Sequence, residues 1–293
     1  MLLPLLLSLA ALAAAGLGAN AWAERRLMRP SPRYPRPPAP AAAPEGPRLV
    51  CAGDSLTHGN LSADYVAPLA ARLAPRGRAV FNAGINADLA ETLLARLDDI
   101  IAARPDFVTV LVGSNDVNAT MRPADLRQYR RLGKLRGPEP PSALTFETNL
   151  TAIVRRLRAE TSARVALLSL PPMSEDLAHE ANLRADRYSQ IIRAVAQAEG
   201  VAYLPLRERL LAELRRHPSR PRIRFGQTTR LVRFALLRHY LLRQSWDQIA
   251  AAHGCRFLTD NLHLNTPAAA IIEQLIFDWV SGEASRTASA TSA

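Results

Sequence analysis

The feature of this sequence that most restricts its fold is a regular alternation of short apolar runs with longer segments of helical periodicity. The runs predict strands over residues 49–52, 79–82, 107–112, 165–170 and 201–204. Between them, apolar residues recur every three or four positions, which predicts helices over residues 65–73, 88–103, 146–161 and 182–199. Strands that alternate with helices form a parallel sheet covered on both faces. The prediction is an α/β fold, a three-layer α/β/α sandwich around a parallel sheet of about five strands.

The start of the chain has the composition of a membrane segment. Residues 2–23 carry no charge, are mostly leucine and alanine, and are long enough to cross a bilayer as a helix. A cleaved signal peptide is the competing interpretation, because the small residues at 20–23 offer a cleavage site. However, no Lys or Arg precedes the apolar run, whereas Arg25 and Arg26 follow it. We expect residues 1–24 to be a membrane anchor, with signal cleavage and export as the alternative and the orientation open.

The segments on either side of the predicted domain have the compositions of a linker and a tail. Residues 25–47 hold eight prolines, and proline at this density favours an extended polyproline conformation. Residues 282–293 are rich in Ser, Thr and Ala, which predicts a disordered tail. A semi-rigid linker and this tail therefore flank a folded domain over residues 48–281.

The net charge of +11 comes almost entirely from arginine, because Lys134 is the only lysine. A basic chain can bind nucleic acid or an anionic membrane, although a genome rich in Arg, Ala and Leu codons explains the same composition. No aromatic and basic nucleic-acid module is recognisable, so no nucleic-acid partner is expected. Cys51 and Cys255 lack the spacing of metal ligands, and we expect two buried thiols rather than a disulfide.

Polar residues follow the first three predicted strands and occur again near the end of the domain. The sequence Gly-Asp-Ser-Leu occupies residues 53–56, and Gly-Ser-Asn-Asp occupies residues 113–116. Residues 82–88 follow the second strand, and Asp-Asn-Leu-His at 260–263 precedes the last helix. Because ligands bind outside the carboxyl ends of parallel strands, we expect these four segments to meet in one site.

Three residues in these segments have the chemistry of a catalytic triad. A serine hydroxyl is a weak nucleophile, so Ser55 needs a base, and the base needs a group that fixes its tautomer. His263 can be that base, because Asp260 lies three residues earlier and can hold one imidazole nitrogen while the other faces Ser55. Taken singly, the three residues could be a helix cap, a structural histidine and a turn residue. Their occurrence together predicts nucleophilic catalysis.

The attacked carbonyl also needs hydrogen-bond donors aimed at its developing oxyanion. Asn115 supplies a side-chain amide at the end of the third strand. Main-chain N–H groups at Ser55 and after the second strand can add two more donors. The same strand ends therefore provide both a nucleophile and an oxyanion hole.

The four segments, in this order, resemble the SGNH subgroup of the GDSL lipase/esterase superfamily. The resemblance covers about residues 48–276 and depends on Gly53-Asp54-Ser55-Leu56, residues 82–88, residues 113–116 and Asp260-x-x-His263. It implies a flavodoxin-like SGNH hydrolase fold and hydrolysis of esters or thioesters through an acyl-enzyme. It also implies that the reaction needs neither a metal nor an organic cofactor.

One position departs from the family pattern. By similarity, the main-chain donor of the second segment is a glycine directly before Asp or Asn, but here Ala87 precedes Asp88. The N–H of Ala87 can serve if its φ is negative, and Gly84 is the less favoured candidate. The predicted oxyanion hole is therefore Ser55, Ala87 and Asn115. Ser55 also lies outside any Gly-x-Ser-x-Gly motif, which argues against an α/β-hydrolase fold.

Other polar residues near the predicted triad are not expected to act in catalysis. His58 would point along a helix that begins at Ser55, so it is not the expected base. Asp54 and Asp116 are expected to bind backbone at the strand ends rather than to act as acids. A metal site built from these carboxylates and Asp260 is conceivable, but their spacing does not require one, and no metal is expected.

Two basic segments, near residues 121–142 and 206–253, are longer than such a fold needs. The second holds eleven arginines between Arg207 and Arg243 and several large apolar residues between 231 and 249. This composition is typical of a membrane-surface or lid helix, and equally of an ordinary packed helix with its arginines in solvent. Both segments could border the acyl pocket.

The sequence as a whole predicts a membrane-tethered or exported serine hydrolase that cleaves carboxylic esters of small molecules. An anchor and a basic, apolar insert make lipid or lysophospholipid acyl esters attractive substrates for a lipase or esterase. Removal of acetyl groups from a cell-surface glycan by the same triad stays open. The alternatives of other classes are a non-catalytic, tethered lipid- or carbohydrate-binding module and a flavodoxin-like protein that binds phosphate or flavin.

Overall fold

The computed structural model describes residue 27 and residues 29–35, 46–135 and 137–282. The predicted anchor or signal segment (1–24), the tail from residue 283 and parts of the linker (25–26, 28 and 36–45) lie outside the described residues. Within the described ranges, no helix has the length and the apolar character needed to cross a bilayer.

The centre of the domain is a sheet of five parallel strands in the order β2-β1-β3-β4-β5. The strands are β1 Arg48–Gly53, β2 Ala79–Gly84, β3 Phe107–Leu111, β4 Arg164–Leu168 and β5 Ala202–Leu204. In the register of the three neighbouring strands, Cys51 of β1 lies opposite Asn82 of β2 and Thr109 of β3. The predicted parallel sheet is confirmed, and each strand ends within two residues of its predicted bounds.

Twelve α-helices lie within the described residues. They are α1 Ser55–His58, α2 Val66–Leu73, α3 Ala90–Ala95, α4 Leu97–Ala102, α5 Ser114–Met121, α6 Pro123–Arg131, α7 Ala143–Glu160, α8 Glu180–Ala198, α9 Leu206–Arg216, α10 Thr228–Leu236, α11 Trp246–Ala252 and α12 Thr266–Ser281. A 3₁₀ turn, Ala74–Arg76, follows α2, and a π-helical turn, Leu237–Leu241, follows α10. The helices α6, α9, α10 and α11 belong to the two basic segments.

The prediction of one helix over residues 88–103 is wrong, because α3 and α4 are separated at Arg96. The backbone of Arg96 has φ −116° and ψ 19°, outside the helical region. Its guanidinium donates to the main-chain oxygens of Gly53 and Ala83, at 3.0 and 2.8 Å, and pairs with Asp88 at 2.7 Å. Arg96 thus binds the carboxyl ends of β1 and β2, where the predicted site lies.

Helices cover both faces of the sheet, as a three-layer sandwich requires. Alternate residues of β1 point to opposite faces: Leu49 and Cys51 pack with α2, α9, α11 and α12, whereas Val50 and Ala52 pack with α3, α4, α7 and α8. Cys51 and Cys255 are both buried and unpaired. Burial raises the pKa of the Cys51 thiol to about 12, so this cysteine behaves as a small apolar core residue.

Residues 29–35, which the composition assigns to a linker, lie against the domain. The main-chain N–H of Asn82 in β2 donates to the oxygen of Arg33 at 2.9 Å. The Tyr34 hydroxyl donates to Asp99 at 2.8 Å, and Ser31 is buried. Because β2 is an edge strand, this segment covers backbone groups that would otherwise be open to pairing.

Candidate active site

The predicted nucleophile lies at a sharp turn from strand to helix. Strand β1 ends at Gly53, and α1 begins at Ser55. The Asp54 carboxylate caps α1 by accepting from the N–H of Leu56 at 2.9 Å. A side chain at Gly53 would collide with the main-chain oxygen of Leu111, so the close approach of β3 requires glycine there. The turn directs Ser55 toward the carboxyl edge of the sheet.

A second tight turn places the predicted base and its orienting acid. Leu258 and Leu264 form an antiparallel bridge across residues 259–263. One oxygen of the Asp260 carboxylate accepts from the main-chain N–H of His263 at 2.9 Å, and its other oxygen lies 2.9 Å from His263 Nδ1. The second ring nitrogen, Nε2, lies 2.9 Å from Ser55 Oγ. This chain of contacts has the geometry of a nucleophile, a base and an orienting carboxylate.

All three members of this chain are buried, which affects the protonation of the histidine. Burial on its own lowers the pKa of His263, but the carboxylates of Asp260 and Asp54 oppose this effect and prevail. The pKa of His263 therefore lies above its usual value of 6.5. A base must be neutral to accept a proton, so this rise shifts the active pH range upward.

We expect kcat/KM for a water-soluble ester to fall on acidification with a midpoint above pH 6.5. Replacing Asp260 by Asn removes the main charge that raises the pKa of His263, so the midpoint should move to lower pH. Burial also raises the pKa of Asp54 to about 7, so this carboxyl titrates in the same pH range. The fall in activity at acidic pH should therefore be assigned to His263 by NMR of its ring nitrogens. A wild-type midpoint below 6.5 would contradict this electrostatic account.

Asn115, the predicted side-chain donor, lies in the first turn of α5. Its Nδ2 is 2.9 Å from the main-chain oxygen of Asp88 and 3.2 Å from Asp54 Oδ2. These contacts bring the ends of β1, β2 and β3 together and place the amide on the wall of the cavity that contains Ser55 and His263. The contact with Asp54 is the longer of the two. We therefore expect the Nδ2 proton that points to Asp54 to be the one that turns toward an oxyanion.

Ala87 has an unexpected backbone conformation. The condition of a negative φ is not met, because φ is +61°, in the left-handed region that favours glycine. The loop is held in this shape by a turn in which Asp88 N–H donates to the oxygen of Ile85 at 3.2 Å, and by the ion pairs of Asp88. Alanine tolerates this conformation at a cost of roughly 1–2 kcal/mol. The positive φ at this position explains why the family pattern has glycine there, and the loop keeps this conformation although the residue is alanine.

The two candidates for the second main-chain donor differ in their availability. Ala87 lines the cavity, and its N–H has no hydrogen-bond partner among the described residues. The N–H of Gly84 donates to Asn82 Oδ1 at 3.0 Å, and a side chain at Gly84 would collide with the backbone of His58. A main-chain N–H can donate at either sign of φ, so the positive φ of Ala87 does not remove this donor, and its open N–H favours Ala87 over Gly84.

The remaining polar residues of the motifs have structural contacts. Asp116 accepts from the N–H of Ala90 through both oxygens, at 3.2 and 3.3 Å, and burial raises its pKa to about 7. His58 Nε2 lies 2.7 Å from the main-chain oxygen of Arg29 and does not line the cavity. Among the described residues, no three His, Cys, Asp or Glu side chains are grouped so that they could hold a metal ion.

The insert at 121–142 contributes two residues that the sequence did not single out as site residues. The hydroxyl of Tyr129 in α6 donates to Asn115 Oδ1 at 2.7 Å and accepts from Asn118 Nδ2 at 3.1 Å. Lys134 pairs with Asp88, the residue after Ala87, at 2.7 Å. Burial raises the pKa of Tyr129, so its phenol keeps the proton that it donates. The only sequence signal was a tyrosine and a lone lysine in an arginine-rich segment.

Removing the Tyr129 hydroxyl should slow turnover without weakening substrate binding. Tyr129→Phe leaves the oxygen of Asn115 without its buried donor, so the amide loses its fixed orientation. We expect kcat to fall about tenfold, which corresponds to roughly 1.4 kcal/mol, with KM nearly unchanged. Tyr188→Phe, a buried tyrosine on α8, is the matched control and should keep its kcat. Equal loss in both variants would mean that only packing was disturbed.

A cavity of about 220 Å³ adjoins Ser55 and His263. Much of its wall is apolar: Leu27, Leu61, Leu132, Val232, Leu236 and Leu262. Leu132 comes from the insert at 121–142, and Val232 and Leu236 come from the insert at 206–253. Both basic segments therefore border the cavity, and Leu27 adds a wall from the segment before the domain.

Comparison with known proteins agrees with this geometry. The model of the GDSL-like lipase/acylhydrolase family matches residues 51–271. The chain belongs to this family. No curated protein matches the sequence significantly. The match includes the strand-end segments, so the predicted family membership is confirmed. The predictions of an ester hydrolase and of a small-molecule ester substrate are confirmed with it.

Solved structures share the fold of this GDSL-like hydrolase. The acetyl xylan esterase AlAXEase has a TM-score of 0.54 and 20% identity, covering 80% of this chain and 99% of that chain. A variant of an acetyl-xylooligosaccharide esterase from Geobacillus has a TM-score of 0.58 and 19% identity, covering 80% and 94%. The lipase/acylhydrolase from Enterococcus faecalis has a TM-score of 0.54 and 19% identity, covering 81% and 97%. At these identities the likeness shows the fold.

Proposed function

We propose that this hydrolase cleaves carboxylic esters through an acyl-enzyme on Ser55. The observation that carries the proposal is the buried chain of two 2.9 Å contacts, from Ser55 Oγ to His263 Nε2 and from His263 Nδ1 to Asp260. Ser55 Oγ attacks the ester carbonyl while His263 takes its proton. The N–H groups of Ser55 and Ala87 and the amide of Asn115 then bind the oxyanion.

The remaining steps use the same groups in reverse. The tetrahedral intermediate collapses, the bond to the alcohol oxygen breaks, and His263 delivers its proton to that oxygen. Water then attacks the acyl-enzyme while His263 accepts a proton, and the carboxylic acid leaves as Ser55 regains its hydrogen. Throughout, Asp260 fixes the ring tautomer and stabilises the imidazolium that forms.

For the substrate, we propose esters with acyl chains longer than acetyl. The cavity beside Ser55 measures about 220 Å³, whereas cavities of roughly 150 Å³ already admit benzene. Its wall carries Leu132, Val232 and Leu236, which offer an acyl chain an apolar surface. Each methylene moved out of water contributes about 0.8 kcal/mol, so several methylenes would strongly favour the longer chain.

A panel of p-nitrophenyl esters from acetate to decanoate tests this substrate class. We expect kcat/KM to be at least about tenfold higher for the best longer chain than for acetate. Val232→Phe fills the cavity and should reduce turnover of the longer esters much more than turnover of acetate. Leu237→Phe, at an exposed position just after the same helix, is the matched control. Highest activity on acetate would overturn the longer-chain proposal.

A second candidate substrate is an acylated glycan, as in the acetyl xylan esterases with the same fold. Two buried polar atoms favour it: Asn118 Oδ1 and Thr228 Oγ1 have no hydrogen-bond partner among the described residues. Both residues line the cavity, and a sugar hydroxyl could pair with either atom once its side chain rotates toward the cavity. Release of acetate from acetylated xylooligosaccharides at a higher kcat/KM than any p-nitrophenyl ester would favour this candidate.

We also propose that residues 2–23 anchor the enzyme in a membrane. The supporting observation is that this stretch is uncharged, mostly leucine and alanine, and long enough to cross a bilayer as a helix. Extraction of the full-length protein from isolated membranes tests this proposal. An anchored protein needs detergent, whereas release by alkaline carbonate would contradict anchoring.

A further inference from the structure

A cluster of exposed apolar side chains lies just beyond the cavity wall. We define the apolar patch as Phe234, Leu237, Tyr240, Leu241 and Leu242. Among the described residues, seven large apolar side chains are exposed, and five of them belong to this patch. Leu241, at 68% exposure, is the most exposed of the five. Such a concentration within one short stretch of chain, residues 234–242, indicates an interaction site rather than scattered surface residues.

The charged residues of the segment that carries the apolar patch, 214–246, are all basic. Arg230, Arg238 and Arg243 alternate with its residues along the chain, and no acid occurs between Glu213 and Asp247. A further arginine of this segment, Arg233, lines the cavity instead. Apolar side chains interleaved with arginines are typical of helices that lie in the interface of an anionic bilayer. The charge therefore favours a lipid surface over an apolar protein partner.

The apolar patch also lies beside the point at which the N-terminal segment joins the domain. The hydroxyl of Tyr240 donates to the main-chain oxygen of Asn60 at 2.8 Å. The side chain of Asn60 donates to the main-chain oxygen of Leu27 at 3.1 Å. The uncharged stretch of residues 2–23 ends only four positions before Leu27. Any bilayer that holds this stretch is therefore close to the patch.

The opposite side of the same helix faces the cavity. Val232 and Leu236 of α10 line the cavity, whereas Phe234 points outward with 46% exposure. A single helix thus separates the cavity from the apolar patch. A lipid surface on the patch would hold the cavity close to acyl chains that leave the bilayer.

We propose that the apolar patch, with Arg230, Arg238 and Arg243, forms a docking surface for an anionic lipid bilayer. The leucines and Phe234 would enter the acyl boundary, and the arginines would bind lipid phosphates. This surface would orient the domain on the membrane in addition to any attachment through residues 2–23. The proposal concerns which surface of the domain contacts the bilayer, and it does not depend on the acyl chain that the enzyme prefers.

Lipid quenching of a site-specific label tests the proposal on the full-length chain. The protein is reconstituted in vesicles of phosphatidylcholine and phosphatidylglycerol, with a fluorophore on Leu241→Cys. The natural thiols, Cys51 and Cys255, are buried and should not compete for the label. The matched control is Leu144→Cys, which is 72% exposed on α7. Helix α7 packs on the other face of the sheet, away from the patch.

Lipids brominated along their acyl chains should quench the label at 241 at least about threefold more than the label at 144. Removing phosphatidylglycerol should weaken this difference, because the arginines lose their anionic partners. Equal quenching at the two positions, or none at 241, would overturn the proposal. Turnover of a water-soluble ester in the same samples reports the hydrolase separately, so failure of the docking surface cannot be confused with failure of the proposed chemistry.

Discussion

Replacing Ser55 by Ala, or His263 by Ala, should lower kcat for ester hydrolysis by about four to six orders of magnitude. Ser55 supplies the only oxygen within 2.9 Å of His263 Nε2 among the described side chains, so its removal leaves no nucleophile for the base. Without His263 the serine hydroxyl keeps its proton and attacks poorly. Because the two residues act as one unit, the double variant should lose little more than either single variant.

Two controls separate this loss from a general defect in folding. Ser189→Ala removes another buried hydroxyl, away from the cavity, and should keep nearly full activity. His58→Ala removes the histidine nearest in sequence to Ser55, whose ring contacts Arg29 instead. A loss in His58→Ala as large as that in His263→Ala would mean that His263 is not the base.

Replacing Asn115 by Ala should raise the barrier of the chemical step by roughly 2–4 kcal/mol, which corresponds to about 10²–10³ in kcat. The amide lies on the cavity wall with Ser55, and Tyr129 fixes its orientation through a 2.7 Å hydrogen bond. An oxyanion develops only after attack, so a donor that serves it stabilises the transition state more than the bound ester. The loss should therefore fall on kcat, with KM changed little.

Asn115 also joins three strand ends, so a structural effect has to be separated from a catalytic one. Thermal unfolding of Asn115→Ala should show a lowered Tm, because the oxygen of Asp88 and the hydroxyl of Tyr129 lose a buried partner. Kinetics measured well below that Tm report the folded enzyme alone. A kcat within threefold of wild type under those conditions would remove Asn115 from the oxyanion hole.

The parts of the site that the sequence predicted are those that depend on short segments of chain. The strand ends could be read from apolar runs, and parallel topology then brings all the ends to one edge. The contact of Asp260 with His263 depends only on a tight turn within four residues. Ser55 alone could have been a helix cap, and it was the separate occurrence of Asn115 and this pair that made a triad the better interpretation.

The parts that the sequence did not predict depend on contacts between distant segments. The helix break at Arg96 follows from acceptors on β1 and β2, which no helical periodicity encodes. Tyr129 and Lys134 reach the site only because α6 folds over the strand ends. The positive φ of Ala87 is set by the surrounding loop, whereas its side chain alone favours a negative φ.

Labelling with a fluorophosphonate tests the central claim most directly, because this probe bonds to an activated serine oxygen. The experiment compares full-length wild type, Ser55→Ala and Ser189→Ala by mass spectrometry of the labelled peptide. The proposed chemistry predicts a single adduct on Ser55 in wild type and in Ser189→Ala, and none in Ser55→Ala. Equal labelling of wild type and Ser55→Ala would contradict the assignment of Ser55 as the nucleophile.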